Sequence, residues 1–185
     1  MLVVTAATVL SAGCTALPLL GGDRNFAARE VASEPRIRLV TPQTLGGLPQ
    51  SPSRPLWNAS RETLAALRLE VGETTSAIAA PYGGRTETED AIVVSAAAGT
   101  IDEPSALLWA IVAAIDDATD IRPVRPGPLG GDAKCVVGHS SQGKQAVCAW
   151  ADNDSVGIVR FLSDSLRDRR DEFVEIRAQL EQPAG

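Results

Sequence analysis

The residues with the most chemical promise sit between the last two cysteines of the chain. Val136-Val137-Gly138-His139-Ser140-Ser141-Gln142-Gly143 sets two adjacent serines after the only histidine. A serine becomes a nucleophile when a Gly-x-Ser-x-Gly turn between a strand and a helix exposes its Oγ beside an oxyanion hole. Here the count misses by one, because Gln142 follows Ser141 and the glycine stands at 143. The continuation Lys144-Gln145-Ala146-Val147-Cys148 reads equally well as a strand. A triad also needs a histidine base reaching in from elsewhere in the chain, and His139 adjoins the serine it would activate. Lys144, the other conceivable base, lies on the same short hairpin. A serine hydrolase using Ser140 or Ser141 is therefore the lesser reading.

Other chemistries find less material. One histidine and the pair Cys135 and Cys148 do not make a zinc set. Asp152-x-Asp154 before Gly157 has the start of a calcium loop, but Val156 stands where a third oxygen ligand belongs, so a hairpin turn is expected. Asp116, Asp117 and Asp120 follow a helical stretch, where the macrodipole disfavours carboxylates, and Arg122 and Arg125 are near enough to neutralise them. Glu87, Glu89 and Asp90 read as a solvated loop. The pairs Gly46-Gly47, Gly83-Gly84 and Gly130-Gly131 lack the strand-to-helix context of a phosphate cradle. No catalytic, metal-ligating or cofactor-binding set is expected. A net charge of −6 with a pI near 4.8 also argues against nucleic acid, which needs clustered cations.

The cysteines themselves point elsewhere. The midpoint of Cys135 and Cys148 falls between Ser141 and Gln142, among the turn formers of the segment. In a hairpin centred there the two cysteines oppose each other on adjacent strands. Directly opposed residues of a non-hydrogen-bonded pair have Cα atoms about 4.5 Å apart, within disulfide range. A loop of this size would add roughly 3 kcal/mol in the chain-entropy account. The competing reading is a pair of buried free thiols in a cytosolic core.

The N-terminus bears on that choice. Met1 to Leu20 carries no charged side chain, and Leu2 to Leu10 is a nearly unbroken apolar run of signal-peptide length. Leu10-Ser11-Ala12-Gly13-Cys14 resembles the cleavage box of bacterial lipoprotein signal peptides, in which the cysteine is lipidated. Leu10 stands one position too far from Cys14, and the usual basic leader is missing. An uncleaved anchor from Leu2 to Leu20 is the second reading, although Arg24 and Arg29 beyond it conflict with the positive-inside rule. A hydrophobic first helix of a cytosolic domain is the third. In the first two the membrane is a partner through the N-terminus.

The elements that must carry these residues follow from periodicity. Residues 1–20 are expected as a signal or anchor and 21–41 as a linker, with a short strand at Ile37-Arg38-Leu39-Val40. A single domain is expected over 42–185. Ser60 is a good N-cap for a helix running through Leu64, Leu67 and Val71. Thr74–Tyr82 and Ala91–Ala98 read as a hairpin. Thr100-Ile101-Asp102-Glu103 offers a capping box for a helix over Ala106–Ile115, apolar on every side and so expected to be the most buried of the core. Pro123–Gly131 is expected to be a connection without strand or helix. Ala133–Gly138, Lys144–Ala151 and Val156–Leu162 form a meander, whose middle strand is apolar on both faces and belongs inside the sheet. A last helix over Ser165–Gln182 aligns Leu166, Phe173, Ile176 and Leu180. The expectation is an α+β domain with an antiparallel sheet of about five strands and helices packed on it.

Pro128-Leu129-Gly130-Gly131, then Cys135, then Val147-Cys148-Ala149-Trp150-Ala151-Asp152 leading to Val156-Gly157, resembles uncharacterised exported or membrane-anchored proteins of high-GC Gram-positive bacteria. The resemblance covers about the last third of the chain well. It implies an oxidising compartment and the Cys135–Cys148 pairing, and carries no activity with it. Trp150 is expected to pack against the disulfide and Asp152 to open the next turn. The leading expectation is thus a tethered, extracytoplasmic, non-catalytic domain that binds a protein or small molecule, with a structural subunit of an envelope complex as a third class.

Overall fold

The computed structural model describes residues 36–84, 90–140, 143–163 and 168–184. The apolar N-terminal segment with Cys14, most of the expected linker, Glu87, Glu89, Ser141, Gln142 and Leu166 lie outside the described residues.

The chain begins with three short strands, β1 (Ile37–Leu39), β2 (Thr44–Leu45) and β3 (Leu48–Pro49), the last two closing on each other through Gly46 and Gly47 at positive φ. Helix α1 (Arg54–Leu69) follows, then β4 (Thr74–Gly83) and β5 (Ala91–Gly99). Helix α2 (Pro104–Ala113) leads to β6 (Thr119–Val124), β7 (Asp132–Ser140), β8 (Gly143–Ala151) and β9 (Ser155–Leu162). Helix α3 (Arg170–Leu180) runs straight into β10 (Glu181–Pro183).

Six strands make one antiparallel sheet in the order β4-β5-β9-β8-β7-β6. The expected hairpin and meander are therefore joined edge to edge by the β5–β9 pairing. Alternating side chains divide the sheet into two apolar faces. Ile92, Val94, Ala96 and Ala98 of β5 join Cys148 and Trp150 of β8 on one face, where Phe173, Ile176 and Leu180 of α3 cover them. Val147, Ala149 and Ala151 of β8 join Ala97 and Val156 on the other, beneath Leu64 and Leu67 of α1 and Leu108 and Val112 of α2. The result is an α+β domain of three layers, with small side chains in the central strands that let helices approach closely. Gly157 is a case in point. It lies opposite Trp150 in the β8–β9 register, and a Cβ there would enter the indole ring.

Several boundaries depart from expectation for identifiable reasons. Helix α1 starts at Arg54 behind Ser53, with Pro55 in its first turn, and Ser60 is an interior residue. The Ser60 hydroxyl donates to the Val94 carbonyl at 2.9 Å, while Ser95 Oγ donates to the Ser60 carbonyl at 2.8 Å, a reciprocal clasp that overrides the capping preference. The capping box does not form. Glu103 occupies the N-cap of α2 without a side-chain bond, and Thr100 accepts from Gly72 N–H through its backbone carbonyl. Nor is α2 the most buried helix. Only Leu108 and Val112 are fully buried, with Leu107 and Ile111 partly so, and Trp109 is 54% exposed.

Besides the short β2 and β3, two further strands, β6 and β10, were not anticipated. Strand β6 takes in Pro123, which is compatible with its place at the sheet edge, where a missing N–H leaves no ladder bond broken. Strand β10 pairs with β1, matching Ile37 with Pro183, so the last residues of the segment expected as linker belong to the folded unit. No helix among the described residues is long and apolar enough to cross a membrane.

Candidate functional site

Cys135 and Cys148 face each other across the β7–β8 register, with Cα atoms 4.0 Å apart, and are joined by a disulfide. The hairpin geometry inferred from the midpoint of the two cysteines is the one found. Cys148 is fully buried and Cys135 nearly so. Trp150 lies on the same face in the same apolar cluster, its ring 6.0 Å from that of Phe173. The enclosed, apolar setting of Cys148 marks a structural sulfur rather than an exchanging one.

Strand β7 ends at Ser140, and its antiparallel partner β8 begins at Gly143. His139 sits on β7 opposite Lys144 on β8. A nucleophile elbow requires a strand followed by a helix, so this hairpin does not supply that geometry. The His139 backbone N–H donates to the Asp116 carbonyl at 3.1 Å. Its Nδ1 is 3.9 Å from Asp117 Oδ2, too long for a hydrogen bond.

Of the acidic residues singled out above, Asp120 is neutralised by Arg122 at 2.7 Å, as anticipated. Asp152 opens the β8–β9 turn as expected, its Oδ1 accepting from the N–H groups of Asp154 and Ser155 at 2.7 and 2.8 Å. In the same turn Asp154 bonds Arg36 at 3.0 Å, and no group of three His, Cys, Asp or Glu side chains that could hold a metal occurs among the described residues.

The most concentrated chemistry was not anticipated. Arg177, Glu181, Asp152, Ser155 and Trp150 form one buried polar cluster where α3, β10 and the β8–β9 turn meet. Arg177 donates from Nε to Glu181 Oε2 at 2.7 Å and from Nη2 to Asp152 Oδ2 at 2.6 Å. Its Nη1 donates to the Pro126 and Gly130 carbonyls at 2.7 and 2.9 Å. Trp150 Nε1 donates to Glu181 Oε1 at 2.7 Å, and Ser155 Oγ donates to the same oxygen. Burial pushes the Glu181 carboxyl above its ordinary range, against the pull of Arg177 and the Ser155 hydrogen bond. The cluster closes on itself, and so clamps α3 to the sheet and to the Pro126–Gly130 connection.

A sequence signal for it existed. Position 177 is four after Phe173 and three before Leu180, which puts an arginine on the apolar stripe of α3. A cation there demands buried partners, and Glu181 one turn on is the nearest.

Two surface depressions complete the picture. One, of about 260 Å³, borders Cys135 and is lined by Arg122, Arg169, Arg170, Asp120 and Asp168. Each guanidinium has its own carboxylate: Arg122 with Asp120, Arg170 with Asp168, and Arg169 with Glu172 at 2.7 Å. Hydrogen bonds from Arg170 hold Asp168 down to about 2. Two of the three cations are thus matched within the pocket, and Arg169 by Glu172 outside its lining. The other, of about 600 Å³, is an open groove between the end of α1 and α2, with Ile101, Leu107 and Ala110 among its walls and Glu70, Asp102 and Glu103 on its rim.

Compared with protein-family models, with curated proteins and with solved structures, the chain gives no match.

Proposed function

We propose that the chain is an extracytoplasmic domain, tethered to the cell membrane by its N-terminal segment, that binds a protein or small-molecule partner without catalysing a reaction. The disulfide between Cys135 and Cys148, set in the middle of the sheet, carries this reading, since such bonds persist in oxidising compartments. The charge-free Met1–Leu20 segment and the Leu10–Cys14 box support the tether, through Cys14 lipidation or an uncleaved anchor. The non-catalytic part is supported by how the polar side chains are used. Ser155, Asp152, Glu181 and Arg177 bond one another inside the fold, as Ser60 and Ser95 bond backbone.

Intact mass of the chain extracted from its native membranes tests the proposal. The expected result is loss of the residues before Cys14 with added acyl mass, or an intact apolar anchor, and a gain of about 2 Da on reduction. A full-length chain in the aqueous fraction with both thiols free would overturn it. Stoichiometric labelling of Ser140 or Ser141 by a fluorophosphonate would replace it with the hydrolase reading.

A further inference from the structure

We infer that the groove between α1 and α2 is a docking site for a cationic polypeptide segment carrying a large apolar anchor. This rests on the reading of the domain as a binding module and names the surface and the partner chemistry.

Helix α2 is built of apolar residues on every side, yet only one stripe of it meets the sheet. Ala106, Trp109, Ala110 and Ala113, spaced so as to share a face, are exposed. Leu107 and Ala110 continue this surface into the groove, over buried Ile101. Leu69, at the end of α1 and adjacent in sequence to rim residue Glu70, is 85% exposed. Ala106 and Ala110 in its lining leave room for a large side chain from outside, while Trp109 lies beyond that lining with Lys134 Nζ 4.4 Å from the centre of its ring.

The rim selects the occupant. Glu70, Asp102 and Glu103 line the groove, and among the described residues no lysine or arginine does. All three are exposed, and none has an ion pair among the described residues. This differs from the pocket beside Cys135, where every cation has its carboxylate. Unmatched carboxylates around an apolar floor complement an apolar side chain flanked by lysine or arginine. They repel an anionic lipid surface and a second copy of the same acidic rim.

The full chain, with its disulfide intact, is titrated with two fluorescent peptides, one a leucine run flanked by lysines and the other the same run flanked by glutamates. The lysine peptide is expected to bind about tenfold more tightly, with the preference shrinking as salt rises. Glu70→Lys with Asp102→Lys should reverse the preference, and Ala110→Gln should weaken both peptides by filling the floor. Both variants alter exposed positions, and retention of the disulfide and of the circular dichroism spectrum confirms folding. Equal binding of the two peptides, or an unchanged preference in the reversed-charge variant, would overturn the inference. So would tighter binding to anionic vesicles, or dimerisation abolished by Ala110→Gln. If a partner is retained from native membranes in mild detergent while the lysine peptide fails, the groove is wrong and the binding-module reading stands. If nothing is retained and neither peptide binds, both fall.

Discussion

Arg177 and Glu181, one helical turn apart, meet Nε to Oε2 at 2.7 Å in a place solvent does not reach. The pair spans the junction between α3 and β10, so it fixes the point at which helix becomes strand. Asp152, Ser155 and Trp150 enclose it from the β8–β9 side.

Breaking one partner of such a cluster strands the others. Arg177→Met should destabilise the domain by about 3–5 kcal/mol, because two buried carboxylates lose their cation. Arg177→Met combined with Glu181→Leu should cost less than Arg177→Met alone. Thermal denaturation of the single and double variants checks this, and a double variant worse than the single would refute the buried-charge explanation.

The same cluster gives stability a pH signature. Burial raises the folded carboxyl of Glu181 above its ordinary value of 4.5. A raised folded value means that the folded state holds the proton more tightly than the unfolded one. The contribution is fully present below the ordinary value and is lost as pH rises through the folded one. Denaturation midpoints followed upward from pH 4.5 should decline from this source in the parent chain. The decline should be absent in Glu181→Gln. Equal slopes in the two proteins would remove Glu181 as its origin.

Reduction of the Cys135–Cys148 bond should lower stability by roughly 3 kcal/mol in the chain-entropy account, given a sequence separation of 13. Cys148→Ser should cost more than Cys135→Ser. The former buries a hydroxyl in an apolar cluster, whereas Cys135 borders a pocket. Urea denaturation with and without reductant reads both effects.

Gly157→Ala should be destabilising out of proportion to one methyl group, by about 1–3 kcal/mol, because the new Cβ enters the Trp150 ring. Trp150→Leu in the same chain should recover part of that cost. The readout is the thermal midpoint of each variant, and no recovery would locate the strain elsewhere.

Much of the sheet was legible because its signals are local. β5 and β8 are apolar on both faces, which interior strands of a covered sheet require, and the turn formers between Cys135 and Cys148 set the hairpin register. What misled were residues whose local preference lost to a distant contact. Ser60 has the chemistry of a cap but bonds a strand carbonyl in the middle of α1. Thr119–Val124, with an arginine, an aspartate and a proline, has little strand character by composition and pairs only through β7. Arg177 gives no burial signal by residue type, since arginines usually face solvent, although its position on the stripe of α3 says otherwise. The evenly apolar α2 shows the converse error, since composition does not say how many sides a neighbour covers.

Strands β1 and β10 knit the start of the folded unit to its finish, down to a 3.0 Å bond from the Ala184 N–H to the Arg36 carbonyl. Entry and exit therefore share one doorway. A bridge of a few residues would turn the domain into a ring, and fresh termini opened at an exposed loop would leave every layer in place.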